Sequence, residues 1–256
     1  MGSEWLNILV STCGEGIGKI PDMLLPQRAG VRYIVSWQHD AGMVMPPAWA
    51  GRDDVKLFMM QGRGLSRNRN NTLKRADCGI CLIADDDCRY TPDYLDNITR
   101  SYSEHPDADI ILFMAQGLDK SYPDKAMKLS QAMKHKGYYP SSVEITFRRE
   151  SIGPLAFNED FGLGSGRYIC GEEDIFLKDA ADMGLKIMFV PVVAVSTPTA
   201  TTGSRLLTDT EVQRAKGAVF RYCYGKWGAR YRLAKEALHH WIFKGINPVT
   251  LYKNMK

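Results

Sequence analysis

The chain has no apolar run approaching 18 residues, which argues against a bilayer-spanning helix. Its opening, MGSEWLNILVST, has neither a basic n-region nor a cleavage-like site, so no secretory signal is expected. There is no internal repeat and no low-complexity linker. The six cysteines (13, 78, 81, 88, 170 and 223) are even in number, but with no secretion signal they read as reduced thiols. Cys78 and Cys81 have C-x-x-C spacing, yet lie in or beside a predicted strand, where i and i+3 face opposite sides, and no second pair completes a zinc site. The five histidines (39, 105, 135, 239 and 240) show no metal-ligand spacing apart from the adjacent tail pair. No Ser-His-Asp pattern is visible. CGEGIGKI would need glycine at 13 and Ser/Thr at 20 to be a phosphate-binding P-loop, but Cys13 and Ile20 stand there. The G-x-G-x-x-G that begins at Gly14 fails at Lys19.

What remains is ordinary for a globular protein: 256 residues, 45% apolar and 24% charged, enough for one large domain or two small ones. The net charge of +4 is unevenly distributed. Residues 214–256 hold ten Lys/Arg against the single acid Glu236, a balance of +9, while the other 213 residues sum to −5. The same tail carries Phe220, Tyr222, Tyr224, Trp227, Tyr231, Trp241 and Phe243. Basic and aromatic residues together suit an anionic membrane surface. A solvated helical face with a few packed rings is the plainer reading. Nucleic acid suits the charge alone and is not expected as a partner.

Strands are predicted at 6–11, 31–38, 55–60, 79–83, 108–115, 142–149 and 185–195, from apolar runs rich in β-branched and aromatic residues. A glycine-rich turn and short helix follow the first strand. Further helices are predicted after Ser66 as N-cap, from Pro92, and over 171–184 with Gly184 as its stop. Strands alternating with helices imply an α/β fold with a mostly parallel sheet flanked by helices. Residues 1–213 are expected to form this domain and 214–256 a helical C-terminal extension.

The most informative stretch is LIADDDCRYTPDYL, where Asp85, Asp86 and Asp87 close a buried strand. Ligands of open α/β sheets bind outside the C-terminal ends of strands. Three adjacent carboxylates repel one another and need a cation or hydrogen-bond donors. A hard divalent ion carrying a diphosphate meets that need; an acidic turn ahead of the Pro92 helix is the alternative.

The order of motifs resembles the family 2 glycosyltransferases of GT-A fold. The first segment is LVSTCGEG. The second, GLSRNRNNTLKRADCGICLIADDD, is similar to the family's G-x-S-x-x-R-N helix running into its aspartate strand, with Asn70 fifteen positions before Asp85. The third is DDDCRYTPDYL, in which Asp85-x-Asp87 fits D-x-D. The fourth, FNEDFGLGSGRYICGEEDIFLKDAADMGLKIMFVP, is similar to the acidic helix before the final strand. The likeness covers about residues 5–200.

This resemblance implies an inverting, metal-dependent hexosyltransferase. It would move a sugar from a nucleotide-sugar donor of UDP type to a saccharide acceptor, lipid-linked or not, in surface-polysaccharide synthesis. The expected location is cytoplasmic, at the inner membrane face. Asp87 would hold Mn²⁺ or Mg²⁺, and Asp85 the same ion through water or else the ribose. Thr12, Gln38, Asp40 and Asp86 would line the nucleotide site, with Arg69 as a cationic fork on nucleotide or phosphate. The general base would be a carboxylate of the 171–184 helix. A gapless count back from Gly184 and Pro191 selects Glu173; matching the letters ED selects Asp174, and Glu172 is a supporting group. Adjacent helical positions differ by about 100°, so the two cannot aim alike. The chain departs from the family in having Ser196 and Thr197, within VSTPTATTGS, where a metal-site histidine is usual. It also lacks the Q-x-x-R-W of processive synthases, which argues for single addition. The rival readings are a catalytically degenerate partner subunit and a nucleotidyltransferase; the latter is weakened by the absence of Thr-Arg in CGEGIGK.

Overall fold

The computed structural model describes residues 5–40, 47–198, 205–245 and 247–256. Eight segments form strands: β1 (Leu6–Cys13), β2 (Val31–His39), β3 (Val55–Gln61), β4 (Ile80–Asp85), β5 (Ile110–Gln116), β6 (Met127–Lys128), β7 (Ile145–Arg148) and β8 (Ile187–Ser196). They form one sheet in the order β3-β2-β1-β4-β7-β5-β8-β6. The pairs β1–β2, β2–β3, β1–β4 and β5–β8 are parallel. β7 runs antiparallel between β4 and β5, and β6 antiparallel to β8. The mostly parallel α/β sheet expected from the sequence is therefore present. β1 and β4 are buried at every position but their last, as expected of central parallel strands covered on both faces.

The helices are α1 (Leu65–Arg75), α2 (Pro92–Glu104), α3 (Leu129–Ala132), α4 (Arg149–Ile152), α5 (Glu172–Asp182), α6 (Thr210–Lys244) and α7 (Pro248–Met255). Thr91 caps α2, its Oγ1 accepting from the Tyr94 amide at 3.2 Å. The inner face of α2, with Leu95, Ile98 and Tyr102, joins Ile8, Val10, Val35, Leu82 and Ala84 in the main core.

Two local expectations are corrected. Ser66 is not a cap but the second residue of α1, where its Oγ donates to the Phe161 carbonyl at 2.6 Å. The single strand expected at 142–149 is a 3-10 turn (Ser142–Glu144), then β7, then α4. The turn forms because Glu144 reaches back to accept from the Ser141 amide at 2.9 Å, which pulls the backbone out of the ladder. The segment after β1 is a nine-residue 3-10 helix, Gly14–Asp22.

Two units divide the chain. The first, Met1–Arg63, Arg67–Ala156 and Asp179–Thr199, contains the whole sheet. The second, Gly64–Ser66, Phe157–Lys178 and Ala200–Lys256, contains α6 and α7, with a small core of Phe220, Ala229, Leu233, Ala237, Leu251 and Met255. The boundary expected at 213 falls inside α6, which starts four residues earlier because Asp209 accepts from the Glu211 amide at 2.9 Å. Gly225, at φ 64° and ψ −178°, interrupts α6, a conformation that only glycine adopts without strain. Among the described residues no helix is long and apolar enough to cross a membrane.

Candidate active site

The sheet reverses its direction of winding at β1, with β2 and β3 on one side and β4 on the other. A doubly wound sheet opens its ligand crevice at such a switch point, outside the C-terminal strand ends. Parallel register places Ser11 beside Asp85 and Cys13 beside Gln38, so these ends lie level. Asp85 is the last residue of β4, and Asp86 and Asp87 follow in the turn.

Each of the three carboxylates meets a different environment. Asp85 is paired with Arg69 of α1, whose Nη2 lies 2.9 and 3.2 Å from its two oxygens and donates to Ser142 Oγ at 2.9 Å. Arg69 is 1% exposed, while the Asp85 side chain remains 34% exposed. The cation therefore underlies the carboxylate and leaves its outer side open. Asp86 Oδ2 accepts from Thr12 Oγ1 at 2.7 Å, and its Oδ1 lies 3.3 Å from Lys19 Nζ. Gly16 is required here: a Cβ on it would stand 2.1 Å from Asp86 Oδ2 and 2.7 Å from Thr12 Oγ1. Asp87 is half-buried. Burial, then the charges of Asp85 and Asp86, raise its carboxyl above the ordinary value.

The other expected nucleotide-site residues surround this turn. Thr12 is buried, and its carbonyl accepts from Asn68 Nδ2 at 2.9 Å. Gln38 is buried at the end of β2. Asp40 is exposed and paired with Arg63, whose Nη2 lies 3.0 Å from Oδ2 and whose Nη1 donates to Cys13 Sγ at 2.6 Å. The Trp37 indole donates to the Gly14 carbonyl at 2.9 Å and holds the Gly14–Asp22 turn against β2. Sequence reasoning missed Lys19, Arg63, Asn68 and Ser142. Asn68 lies inside the quoted GLSRNRN motif, but nothing local marks the other three.

In the second unit, Glu172, Glu173 and Asp174 open α5 after Gly171. Carboxylates at a helix N-terminus meet the positive end of its dipole. Glu172 is buried beside Gly162, whereas Glu173 and Asp174 are partly exposed. Lys216 of α6 lies 3.8 Å from Asp174 Oδ2, and that carboxylate is the main cause of a raised Lys216 pKa. Burial, followed by Glu173 and Glu172, pushes the neighbouring Cys170 thiol up to about 12. Of the VSTPTATTGS segment, Ser196 pairs its backbone with Arg89, and the Thr197 amide donates to Gln116; residues 199–204 lie outside the described residues.

A divalent ion would suit the Asp85–Asp87 turn in one respect: Lys19 only partly offsets the burial and carboxylate repulsion that act on Asp87. Among the described residues no group of three or more His, Cys, Asp or Glu converges as a cage. A hard cation held by this turn would have to take most of its oxygens from substrate phosphates and water.

Comparison with known proteins bears on this arrangement. Residues 48–162 match the model of glycosyl transferase family 2. The fold is shared with "S. aureus TarS 1-349" (TM-score 0.62, 16% identity, 95% of this chain and 73% of that one). It is shared also with the same protein in complex with UDP (TM-score 0.61, 18% identity, 96% and 75%) and with UDP-GlcNAc (TM-score 0.59, 16% identity, 96% and 75%). No curated protein matches the sequence. The fold is GT-A, the architecture of nucleotide-sugar transferases. Over residues 48–162 the chain is similar to glycosyl transferase family 2, and its fold is that of the GT-A enzymes.

Proposed function

We propose that the chain transfers one sugar, with inversion, from a UDP-type nucleotide-sugar donor to a saccharide hydroxyl. The observation that carries this reading is the strand-end carboxylate turn at the sheet's switch point, braced from below by Arg69 and from β1 by Thr12. The UDP and UDP-GlcNAc complexes of the similar TarS fold support a uridine donor.

Asp87 and Asp85 would hold the metal, Mn²⁺ or Mg²⁺. When bound, it would stabilise negative charge on the departing diphosphate. The chain's own groups do the rest. Thr12, Gln38, Asp40 and Asp86 form the nucleotide side of the site. Arg69 is a positioning residue in this reading: its buried guanidinium fixes Asp85 rather than reaching a phosphate. Glu173 is the general base. It takes the proton from the acceptor hydroxyl as that oxygen bonds the anomeric carbon, and the bond from that carbon to the diphosphate oxygen breaks on the opposite face. The products are the inverted glycoside and the nucleoside diphosphate. Glu173 is favoured over Asp174 by gapless spacing from Gly184 and Pro191.

Calorimetric titration with UDP, GDP and dTDP, each with and without Mn²⁺, tests the donor half. Metal-dependent binding of UDP alone is expected. Binding of none by folded protein would overturn the reading in favour of a degenerate partner subunit. A saccharide acceptor in surface-polysaccharide synthesis is part of the proposal, and a sugar and acceptor screen follows from the nucleotide that binds.

A further inference from the structure

Beyond Gly225, α6 continues as Lys226–Lys244, 19 residues and about 28 Å of helix. Its inner positions, Ala229, Leu233 and Ala237, recur every fourth residue and pack with Leu251 and Met255 of α7. The side of a helix turned away from its core is normally polar. Here it is not. At 100° per residue, Trp227, Tyr231, Leu238, Trp241 and Ile242 fall within one arc about 100° wide. All five are exposed, Trp227 at 74% and Tyr231 at 72%. Phe243 is also exposed, but it lies about 100° beyond the edge of this arc and is not part of the stripe. An apolar stripe of this size on a soluble face marks a contact surface.

The rim of the stripe identifies its partner. Arg230 borders one edge and Lys235 the other, with Arg232 beyond and Lys226 and Lys244 at the two ends. Arg230 stacks its guanidinium 4.9 Å from the Trp227 ring, so charge and aromatic already form one unit. The single acid of this half-helix, Glu236, lies 3.2 Å from His240 Nε2. A second copy of the same stripe would bring Arg230 and Lys235 against their own kind, with no acid left over to pair them. The spacing suits a coiled-coil seam, but the flanking charges oppose one. Nucleic acid would accept the charges but not Leu238 and Ile242, which are aliphatic and cannot stack on bases. An anionic bilayer satisfies both parts, the rim through lipid headgroups and the stripe through the interfacial region.

We propose that the outer face of α6 between Lys226 and Lys244 seats the protein on an anionic lipid surface, helix axis parallel to the bilayer. Trp227, Tyr231, Leu238, Trp241 and Ile242 enter the interface, and Arg230, Lys235 and Arg232 take the headgroup charge. The contact lies on the surface rather than across it, since no described helix can span. It is independent of the donor site, so its failure leaves the transferase reading untouched.

The test is co-flotation of the full chain with phosphatidylcholine vesicles containing 30% phosphatidylglycerol, against phosphatidylcholine alone. Binding is expected to the anionic vesicles only, and to weaken in 0.5 M salt. The triple variant Arg230→Glu, Arg232→Glu, Lys235→Glu should bind at least about 100-fold more weakly, since each basic residue near the surface is worth about fivefold. Trp227→Ser with Trp241→Ser keeps the charge and should still lose about tenfold. UDP titration of the same variants should be unchanged, which shows them folded. If a variant misfolds, quenching of wild-type tryptophan emission by brominated anionic lipid decides instead, and no quenching overturns the proposal. So does equal binding to both vesicle types, or triple-variant binding within threefold of wild type. A concentration-dependent dimer that the Trp→Ser pair abolishes would assign the stripe to a second copy, and duplex binding insensitive to that pair would assign the face to nucleic acid; either overturns it.

Discussion

Two runs of three acids, Asp85–Asp87 and Glu172–Asp174, look alike in the sequence and are built on opposite principles. The first ends a strand and continues in a turn. Its carboxylates are distributed among separate donors, Arg69 beneath Asp85 and Thr12 with Lys19 on Asp86, and Asp87 is left with raised proton affinity. The second begins a helix, where successive side chains rotate by about 100° and the backbone dipole itself favours negative charge. There Lys216 lies 3.8 Å from Asp174. In the proposed function, similar charge density would gather a cation in one place and aim a single proton acceptor in the other.

The sharpest way to break this contrast is at the helix. Glu173→Gln should leave UDP affinity unchanged and lower the transfer rate about 10³-fold, within the range for losing a general base. Asp174→Asn should retain most of the transfer. Steady-state rates at saturating donor distinguish the two. The reverse pattern would assign the base to Asp174 and shift the alignment by one residue.

The strand-end run is probed next by Arg69→Met, which keeps an apolar stem in the buried space but removes the charge. Loss of one partner from a largely buried pair should cost about 3 kcal/mol in unfolding free energy. The double variant with Asp85→Asn should recover part of that loss, which a cavity alone would not allow. A cost below about 1 kcal/mol, read from denaturant midpoints at unchanged slope, would mean that Arg69 does not hold the turn together.

How much of this could be read beforehand differs along the chain. The strands β1 to β5 appear as apolar runs, and Gly184 stands where the sequence placed the stop of α5, its φ at 81°. Both signals are local. The Thr12–Asp86 bond joins residues 74 apart, and Arg69 meets Ser142 across 73. No periodicity encodes such pairings, so Arg69 reads as a phosphate fork although its guanidinium is turned inward. The same holds for Lys120 and Glu144, a fully buried ion pair 2.6 Å long with Tyr122 donating to the same carboxylate. From the sequence these two are merely a surface lysine and a strand glutamate. The break in α6 at Gly225 was equally invisible, because an isolated glycine in a helical run seldom stops it.

A smaller effect is expected where the strand-end run meets the turn after β1. Gly16→Ala puts a methyl group into the space shared by Asp86 and Thr12, and one of the two must move. Overpacking of this kind costs about 1–3 kcal/mol. It should appear in UDP affinity as well as stability, because Thr12 and Asp86 belong to the proposed nucleotide side. Stability loss with unchanged UDP affinity would remove those two residues from the site.

The least perturbing change tests whether the helix run depends on its lysine at all. Lys216→Met removes the only ion pair of Asp174 among the described residues, while the flexible chain keeps much of the packing. The pair is long and about one-third exposed on both sides, so solvent screens it, and the stability cost should be about 0.5 kcal/mol. The informative readout is the transfer rate of this variant combined with Glu173→Gln. If Lys216 is what keeps Asp174 from acting as a base, releasing Asp174 should restore a measurable part of the activity that Glu173→Gln removes. If the double variant is as slow as Glu173→Gln alone, then direction rather than charge separates the two carboxylates, and the rotation of about 100° between neighbouring helical positions suffices to choose the base.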